Sequence, residues 1–429
     1  MTFNAGPYCS VSYAFTKLLK HIKPVLNTAL VPVFDSKGYV LKEDVVSDYD
    51  VPAYPSSHMD GFALKSDETV SASNSNPISF KISSGKSVLG MPPTYVLKTG
   101  EVYRVQTGGY MPYQSDAVVP IESVKTVGDE LVIVYSPVKK GSFVYLAGTD
   151  LKKKERVLFK GQLLRAQDTG MLASLKFREV PVFRKPIVGI IPTGTELTDD
   201  LEENNDENGG QKILNTNGPM IASLIDEIGG IPLSYKATPD NPCILKRTIE
   251  AALKDSDMIL TIGGTSVGMQ DIVETTINSL GEPGVLVHGV KLDRGRVSGL
   301  AVIDKKPLIL LPGPVQGALN AFIVFVRPLV EVFSGRAGKS DLTVLAAITE
   351  NWYARKKFTD FTKIVYLKVS KQRGEYVATP LAGETQSMSL LVKSNGYTVV
   401  PEEVTNIKAG NKIEVSLLPG FSYIKDSWV

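Results

Sequence analysis

Between residues 186 and 335 short apolar runs alternate with stretches whose apolar positions recur at helical spacing. The runs predict strands over 187–191, 231–235, 258–262, 285–288 and 308–311, and helices over 219–228, 243–253, 272–280 and 315–333. Such alternation predicts a parallel sheet with helices on both faces. Upstream, Val11, Ala14, Leu18, Leu19 and Ile22 predict a helix over residues 11–30. From about Val51 to Gly148 the pattern changes to two-residue alternation, as in Ile78-Ser79-Phe80-Lys81-Ile82 and Leu131-Val132-Ile133-Val134-Tyr135, between clusters of Gly, Pro, Ser and Asp. That texture predicts an all-β module. Helical periodicity returns over 163–177, so the β module is expected to sit as an insertion between two pieces of one helical segment. After Lys339, strand-like runs over 342–348, 361–369, 376–380, 398–400 and 412–417 predict a small barrel or sandwich.

Composition narrows the class. At 429 residues the chain exceeds one ordinary core, and two to four domains are expected. Charged residues at 21% and hydrophobic residues at 43% are ordinary for a soluble globular protein. A formal charge of +2 gives no polyanion-binding stripe, hence no expectation of nucleic acid. The two cysteines, Cys9 and Cys243, make no disulfide framework or thiolate cluster, and the three histidines, His21, His58 and His288, argue against a multi-histidine zinc site. No signal peptide or membrane span is expected, and a cytoplasmic protein is the default reading. The acidic run over 199–210 reads as a solvated loop, with metal binding as its alternative.

The candidate chemistry sits in glycine-containing turns. Gly263-Gly264-Thr265-Ser266-Val267-Gly268-Met269-Gln270-Asp271 follows the apolar run 258–262 and precedes a predicted helix. Glycines let a backbone approach a ligand, and a helix N-terminus presents N–H groups to an anion. The segment therefore reads as a phosphate-binding turn with a carboxylate, Asp271, at its edge; a helix N-cap is the competing reading of Asp271. Thr193-Gly194-Thr195-Glu196 lies at another strand end and is expected to face the same crevice. Asp60-Gly61, within Ser56-Ser57-His58-Met59-Asp60-Gly61-Phe62-Ala63, carries a candidate carboxylate, but a simple turn is the commoner reading of Asp-Gly alone. Gln106-Thr107-Gly108-Gly109 reads as a β-turn or a phosphate-holding loop, and Leu311-Pro312-Gly313-Pro314-Val315-Gln316 starts a helix.

In their order and approximate spacing, SSHMDGFA, QTGG, AGTDL, REVPVFRKP, TGTEL, GGTSVGMQD and LPGPV resemble the molybdopterin molybdenumtransferase family, the MoeA proteins and the E domain of gephyrin, over nearly the whole chain. The resemblance implies a multidomain α/β plus β fold: an elongated helical segment (1–48 and 149–184), an inserted β domain (49–148), a MogA/MoaB-like α/β molybdopterin-binding domain (185–337) and a C-terminal β-barrel-like domain (338–429). It implies a homodimer and a Mg²⁺-dependent transferase. That enzyme cleaves adenylylated molybdopterin and inserts molybdate or tungstate at the dithiolene, with a molybdopterin adenylyltransferase as a possible upstream partner. Carried over by position, Asp60, Asp150 and Asp240 are the metal and cleavage carboxylates. Thr107 matches a hydroxyl near the phosphates. Glu179 matches an acidic position in the helical segment, with a salt-bridging role as its alternative. Thr193, Gly194, Gly263, Gly264, Ser266, Gly268, Asp271, Arg296, Pro312 and Gly313 match positions that hold the molybdopterin substrate.

Three motifs depart from the family pattern. TGDEL reads with Thr195 in place of the aspartate. KPGKP reads Asp293-Arg294-Gly295-Arg296-Val297, putting Asp293 at the first lysine position and Arg296 at the second. PGNPVS reads Pro312-Gly313-Pro314-Val315-Gln316, one residue shorter and without the serine; Asn215 also stands where the family tends to have aspartate. The phosphate end of the implied site is thus kept while the oxyanion end is altered. An active transferase with a variant oxyanion pocket is expected. The alternatives are a paralogue that binds molybdopterin or its adenylate but cleaves poorly, and a scaffold or interaction protein.

Overall fold

The computed structural model describes residues 8–24, 26–202, 212–264, 270–338 and 342–418, with 270 and 271 described as backbone only. The chain forms two compact units. One comprises Met1–Lys42, Gly161–Thr169 and Glu179–Val429; the other comprises Glu43–Lys160 and Gly170–Arg178.

The first unit is organised on a six-stranded sheet. Its strands in chain order are β1 (Ile187–Pro192), β2 (Ile231–Ser234), β3 (Met258–Ile262), β4 (Pro283–His288), β5 (Gly299–Ile303) and β6 (Lys306–Leu311). Their order in the sheet is β2-β1-β3-β6-β5-β4. β2, β1, β3 and β6 run parallel, while β5 pairs antiparallel with both β6 and β4. The chain leaves β1 for β2 through helix α1 (Asn217–Glu227), then crosses back to β3 through α2 (Pro242–Asp255). Winding therefore reverses between β1 and β3, which opens a crevice beyond their carboxyl ends. Helix α2 starts where Asn241 accepts the N–H groups of Cys243 and Ile244 and proline holds the first helical position.

Every residue of β3 is buried, because successive side chains enter opposite apolar layers. Leu260 and Ile309 join the layer of Ile221 and Ile225 from α1; Ile259, Leu308 and Leu310 join that of Leu245 and Ile249 from α2 and Ile277 from α3 (Gln270–Asn278). The strand β5 escaped the sequence reading. It is reached through a hairpin whose central residues, Asp304 and Lys305, take positive φ without any glycine to signal the turn.

The helix predicted over 11–30 ends at His21, and Thr28–Pro32 is a strand. Val11–His21 buries Ala14 and Leu18 in the main sheet's apolar layer, so it does not pair with Ala166–Ser174 in one helical piece. The chain segments flanking the insertion do meet, but as a three-stranded sheet of Thr28–Pro32, Glu179–Phe183 and Val40–Leu41. Residues Val315–Phe333 form one helical run with a π-helical turn at Phe322–Val326. By length and composition alone the run could cross a membrane, but 67% of it is buried inside the fold, in the core with Leu311, as a core helix is. Five C-terminal strands close a barrel in the order Thr343–Ile348, Glu375–Pro380, Lys363–Gln372, Gly396–Val400 and Lys412–Leu417.

The second unit carries a six-stranded sheet whose core includes Phe62, Phe80, Val102, Val119 and Val132. Gly61 opens the strand Gly61–Leu64 and does not turn the chain: a Cβ there would lie 2.2 Å from the Val119 carbonyl oxygen. Close strand packing, not turn chemistry, is what requires glycine after Asp60.

Candidate functional site

Three turns meet above the reversal between β1 and β3. Thr193 follows β1 and is buried; its N–H donates to Ile262 O at 2.8 Å. Gly263 follows β3, donates to Leu311 O at 3.0 Å and takes φ +94°. A Cβ on Gly263 would lie 2.5 Å from Thr193 O, and one on Gly264 would lie 2.8 Å from Thr193 Oγ1. A Cβ on Gly313, after β6, would lie 3.7 Å from the Gly263 Cα, in ordinary contact. At position 263 only glycine lets the backbone pass Thr193 this closely. Gly263→Ala is therefore expected to cost roughly 2 kcal/mol through φ strain and displacement of Thr193, measured by thermal or urea unfolding; an unchanged midpoint would contradict the packing described.

A cleft of about 430 Å³ lies over these turns, with Thr193, Glu196, Asn215, Asn217, Gly263 and Gly313 among its walls. Asn217 opens α1 and donates from Nδ2 to Gly313 O at 2.6 Å. Its Oδ1 is buried and accepts no hydrogen bond among the described residues. A buried unpaired acceptor on a cleft wall is a position for a ligand N–H or O–H. The sequence reading missed Asn217 as a site residue. Asn215 fixes the approach to α1, accepting from Gly218 N–H at 3.0 Å and donating to Asp199 Oδ1 at 2.8 Å.

Asp240 stands at the edge of the same region and is bound to Thr195. The Thr195 N–H and hydroxyl both donate to Asp240 Oδ2, at 3.0 and 3.2 Å, and Asp240 N–H donates back to Thr195 Oγ1 at 3.0 Å. Where the family pattern would bring two carboxylates together, this chain places a neutral hydrogen-bonding side chain against one. Two like charges at such a distance need a cation or a proton between them; threonine needs neither.

In the second unit, Asp60 and Thr107 come together. The Thr107 N–H and hydroxyl donate to Asp60 Oδ1 at 2.7 and 3.0 Å. These bonds, the backbone one foremost, hold the Asp60 carboxyl below the usual carboxylate range despite its exposure. His58, two residues before, hydrogen-bonds the Tyr145 hydroxyl through Nε2 at 3.0 Å, a structural pairing. Asp150 is exposed in the same unit, its N–H donating to Val51 O at 3.0 Å.

The remaining predicted residues divide. Pro312 and Gly313 follow β6 at the cleft. Gly194 turns the chain after Thr193, its N–H donating to Thr238 O at 3.0 Å. Arg296 is not among the cleft's lining residues; its guanidinium lies over the Phe358 ring at 5.7 Å, on the barrel side. Glu179 is an exposed strand residue paired with Pro32, remote in sequence register from any of these turns. Ser266 and Gly268 lie outside the described residues, and Asp271 is described only as backbone in the first turn of α3. Among the described residues no group of three or more His, Cys, Asp or Glu is gathered as a preformed metal cage.

A doubly wound sheet with glycine turns and a cleft at its switch point, in a chain that also carries an inserted β unit and a closed barrel, defines a multidomain protein built around an α/β domain of the ligand-binding kind. Comparison with known families specifies it. The sequence profile of the MoeA N-terminal region (domain I and II) matches residues 9–175, that of the probable molybdopterin binding domain matches 189–332, and that of the MoeA C-terminal region (domain IV) matches 346–418. The chain belongs to the MoeA family. It is 31% identical over 411 residues to a Methanocaldococcus jannaschii protein named for molybdopterin biosynthesis, covering 94% of this chain and 96% of that one. It is 29% identical to the molybdopterin molybdenumtransferase of Bacillus subtilis, covering 93% of this chain and 91% of the relative. The crystal structure of the molybdopterin biosynthesis MoeA protein from Pyrococcus horikoshii OT3 superposes with a TM-score of 0.78 at 28% identity, covering 96% of this chain and all of that one.

Proposed function

We propose that this protein is a molybdopterin molybdenumtransferase, cleaving adenylylated molybdopterin with release of AMP and placing molybdate or tungstate on the dithiolene sulfurs. The observation that carries the reading is the cleft at the sheet's switch point, with close-packed glycine turns and the unpaired Asn217 acceptor, in a chain whose relatives bear that enzyme's name. A ring N–H or amino group of the pterin is a donor of the kind Asn217 Oδ1 lacks. The assignment of Gly263, Gly264, Ser266, Gly268 and Asp271 to the pterin phosphate, and of Asp60, Asp150, Asp240 and Thr107 to cleavage, belongs to this proposal. So do Mg²⁺ dependence, action as a homodimer in the cytoplasm, supply by an adenylyltransferase, and the division at 1–48 with 149–184, 49–148, 185–337 and 338–429.

The residues suit a magnesium ion, which takes one or two carboxylates and completes its shell with phosphate oxygens and water. Asp60 keeps Oδ2 and Asp240 keeps Oδ1 without a hydrogen bond among the described residues. Bound at either carboxylate, Mg²⁺ would offset the charge of the phosphoanhydride. The chain's own share is to hold Asp60 ionised through Thr107 and to orient Asp240 through Thr195. The direct test is AMP release and bound metal after mixing the purified protein with adenylylated molybdopterin, Mg²⁺ and molybdate or tungstate. Tight pterin binding with no AMP in any combination would sink the enzyme reading.

That outcome would favour a second reading, a paralogue that binds the pterin and cleaves poorly. The Thr195–Asp240 pair is the observation behind it, since it leaves one carboxylate fewer to gather a cation. Thr195→Asp is expected to tighten Mg²⁺ binding roughly tenfold by restoring a second hard oxygen ligand, read by calorimetric titration with MgCl₂. A variant that binds Mg²⁺ no better shows that position 195 is not a ligand position.

A further inference from the structure

In the second unit the contact of Thr107 with Asp60 depends on how the chain leaves the strand Glu101–Val105. That strand pairs parallel with Ile78–Lys86, Ile82 facing Val102 and Lys86 facing Arg104. The stretch from Ile82 to Lys86 therefore spans only Val102 to Arg104, and this bulge delivers Ser87 to the end of the ladder. Ser87 N–H donates to Arg104 O at 3.0 Å. In a parallel ladder the next bond would run from Gln106 N–H to the Ser87 carbonyl. Here the Ser87 hydroxyl takes that N–H instead, at 3.1 Å. A side chain thus ends the ladder one residue before Thr107.

The turn that follows is held at both ends. Gly109 N–H donates to Gln106 O at 2.8 Å, and Gly108 takes φ +79°, the conformation a type II turn requires at its third residue. Gly108 N–H donates to Ser57 O at 2.8 Å, and Gly109 O accepts from Ser57 N–H at 2.9 Å. Ser57 also steadies the other partner, its hydroxyl donating to the carbonyl of Met59, next to Asp60. Ser87 closes the near end of the turn. It is 8% exposed, and a Cβ on Gly109 would lie 2.5 Å from its Oγ and 3.0 Å from its Cβ. The hydroxyl occupies the space that the missing side chain of Gly109 leaves.

We propose that Ser87 is a positioning residue: by holding Gln106 N–H, its hydroxyl aims the Thr107 N–H and hydroxyl at Asp60 Oδ1 and so sets the orientation of that carboxylate. Without it Gln106 N–H must turn to water, and the segment that turns carries Thr107 away from Asp60. The inference rests on the transferase reading only for its kinetic consequence; the aim of Thr107 stands on the contacts above.

The test is the Thr107 amide resonance in a nitrogen–proton correlation spectrum of the full chain, without pterin or Mg²⁺. Asp60→Asn marks where that resonance falls without a carboxylate acceptor. Ser87→Ala is expected to move it roughly half of the way there or more, and to speed the amide's exchange with solvent about tenfold, the change that one hydrogen bond makes. Ser87→Thr keeps the hydroxyl and should restore both. In the AMP-release assay Ser87→Ala should lower kcat about tenfold with KM within about twofold, because orientation and not substrate binding is lost. A Thr107 resonance and exchange rate unchanged in Ser87→Ala overturn the proposal, and so does a Ser87→Thr protein that behaves as Ser87→Ala does. Should Ser87→Ala unfold early, Ser87→Cys, near in shape and a weak acceptor, decides by the same criterion. A protein that releases no AMP in any form removes the transferase reading and leaves the Thr107 result standing.

Discussion

Asp60→Ala should lower AMP release from adenylylated molybdopterin by about 10²–10³-fold, the loss typical of removing a group that offsets charge at a transferring phosphoryl centre. Its thermal midpoint should stay within about 2 °C of the unaltered protein, because exposed side chains with local partners contribute little to stability. The partner is local: only Thr107 binds Asp60 by side-chain hydrogen bonds among the described residues. A matching loss of rate and of folding would mean that Asp60 is structural. The pH dependence carries a sign. Thr107 lowers the Asp60 pKa, so the carboxylate persists as pH falls through the range where an ordinary aspartate protonates. The group's contribution to stability is likewise present above its unfolded pKa and lost only as pH falls through the lowered folded one. Thr107→Val removes the hydroxyl bond and keeps the backbone one, the larger of the two causes. Its rate–pH profile should therefore show an acid limb displaced upward, with the plateau reduced less than in Asp60→Ala.

What was legible in the sequence follows the range of the interactions. The strands β1, β3 and β6 are runs buried on both faces, and such runs announce themselves as unbroken apolar segments. The barrel strands show through alternation, although nothing in alternation decides closure over a sandwich. Apolar spacing continues past Ile22 and so predicts a longer helix, whereas the helical backbone stops at His21, ahead of Pro24. The glycine turns were legible as turns, and their convergence follows from strand order. Partner identity was not. The Asn217 acceptor matters because its amide group is pinned to Gly313 O, 96 residues away, and Asp293 meets Arg355 across 62 residues. The three motif departures were visible as substitutions, but their sense was not. Thr195 holds Asp240, Asp293 holds Arg355 and Gln316 holds Arg294. Each altered position supplies a partner from within the chain to a charged group.

Lys363→Met is expected to destabilise the barrel by about 3 kcal/mol, lowering its unfolding midpoint by on the order of 10 °C. Lys363 is 2% exposed, and its three ammonium N–H groups are shared among four backbone carbonyls: Thr359 and Val404 at 2.8 Å, Pro401 and Glu402 at 3.1 Å. Burial pulls its pKa below that of an ordinary lysine, opposed by the carboxylates of Asp293, Asp360, Glu402 and Glu403. Methionine fills similar volume and removes the desolvation penalty of the charge, but it leaves the carbonyls without a donor, and orphaned buried acceptors cost more than the charge saved. The consequence reaches Arg355 and Asp293. Lys363 ties the 401–404 loop to Thr359, and the same 355–362 segment carries Arg355 to Asp293, Asp360 to Lys291 at 3.0 Å, and Thr362 to the backbone of Lys291 and Asp293. Loosening the barrel side of this segment should therefore weaken the grip on Asp293 as well. Two measurements separate the effects. Calorimetric unfolding reports the barrel, and amide hydrogen exchange at Asp293 and Thr362 reports the segment that carries Arg355. A Lys363→Met protein that unfolds at the unaltered temperature would show that water, not the lysine, satisfies the four carbonyls.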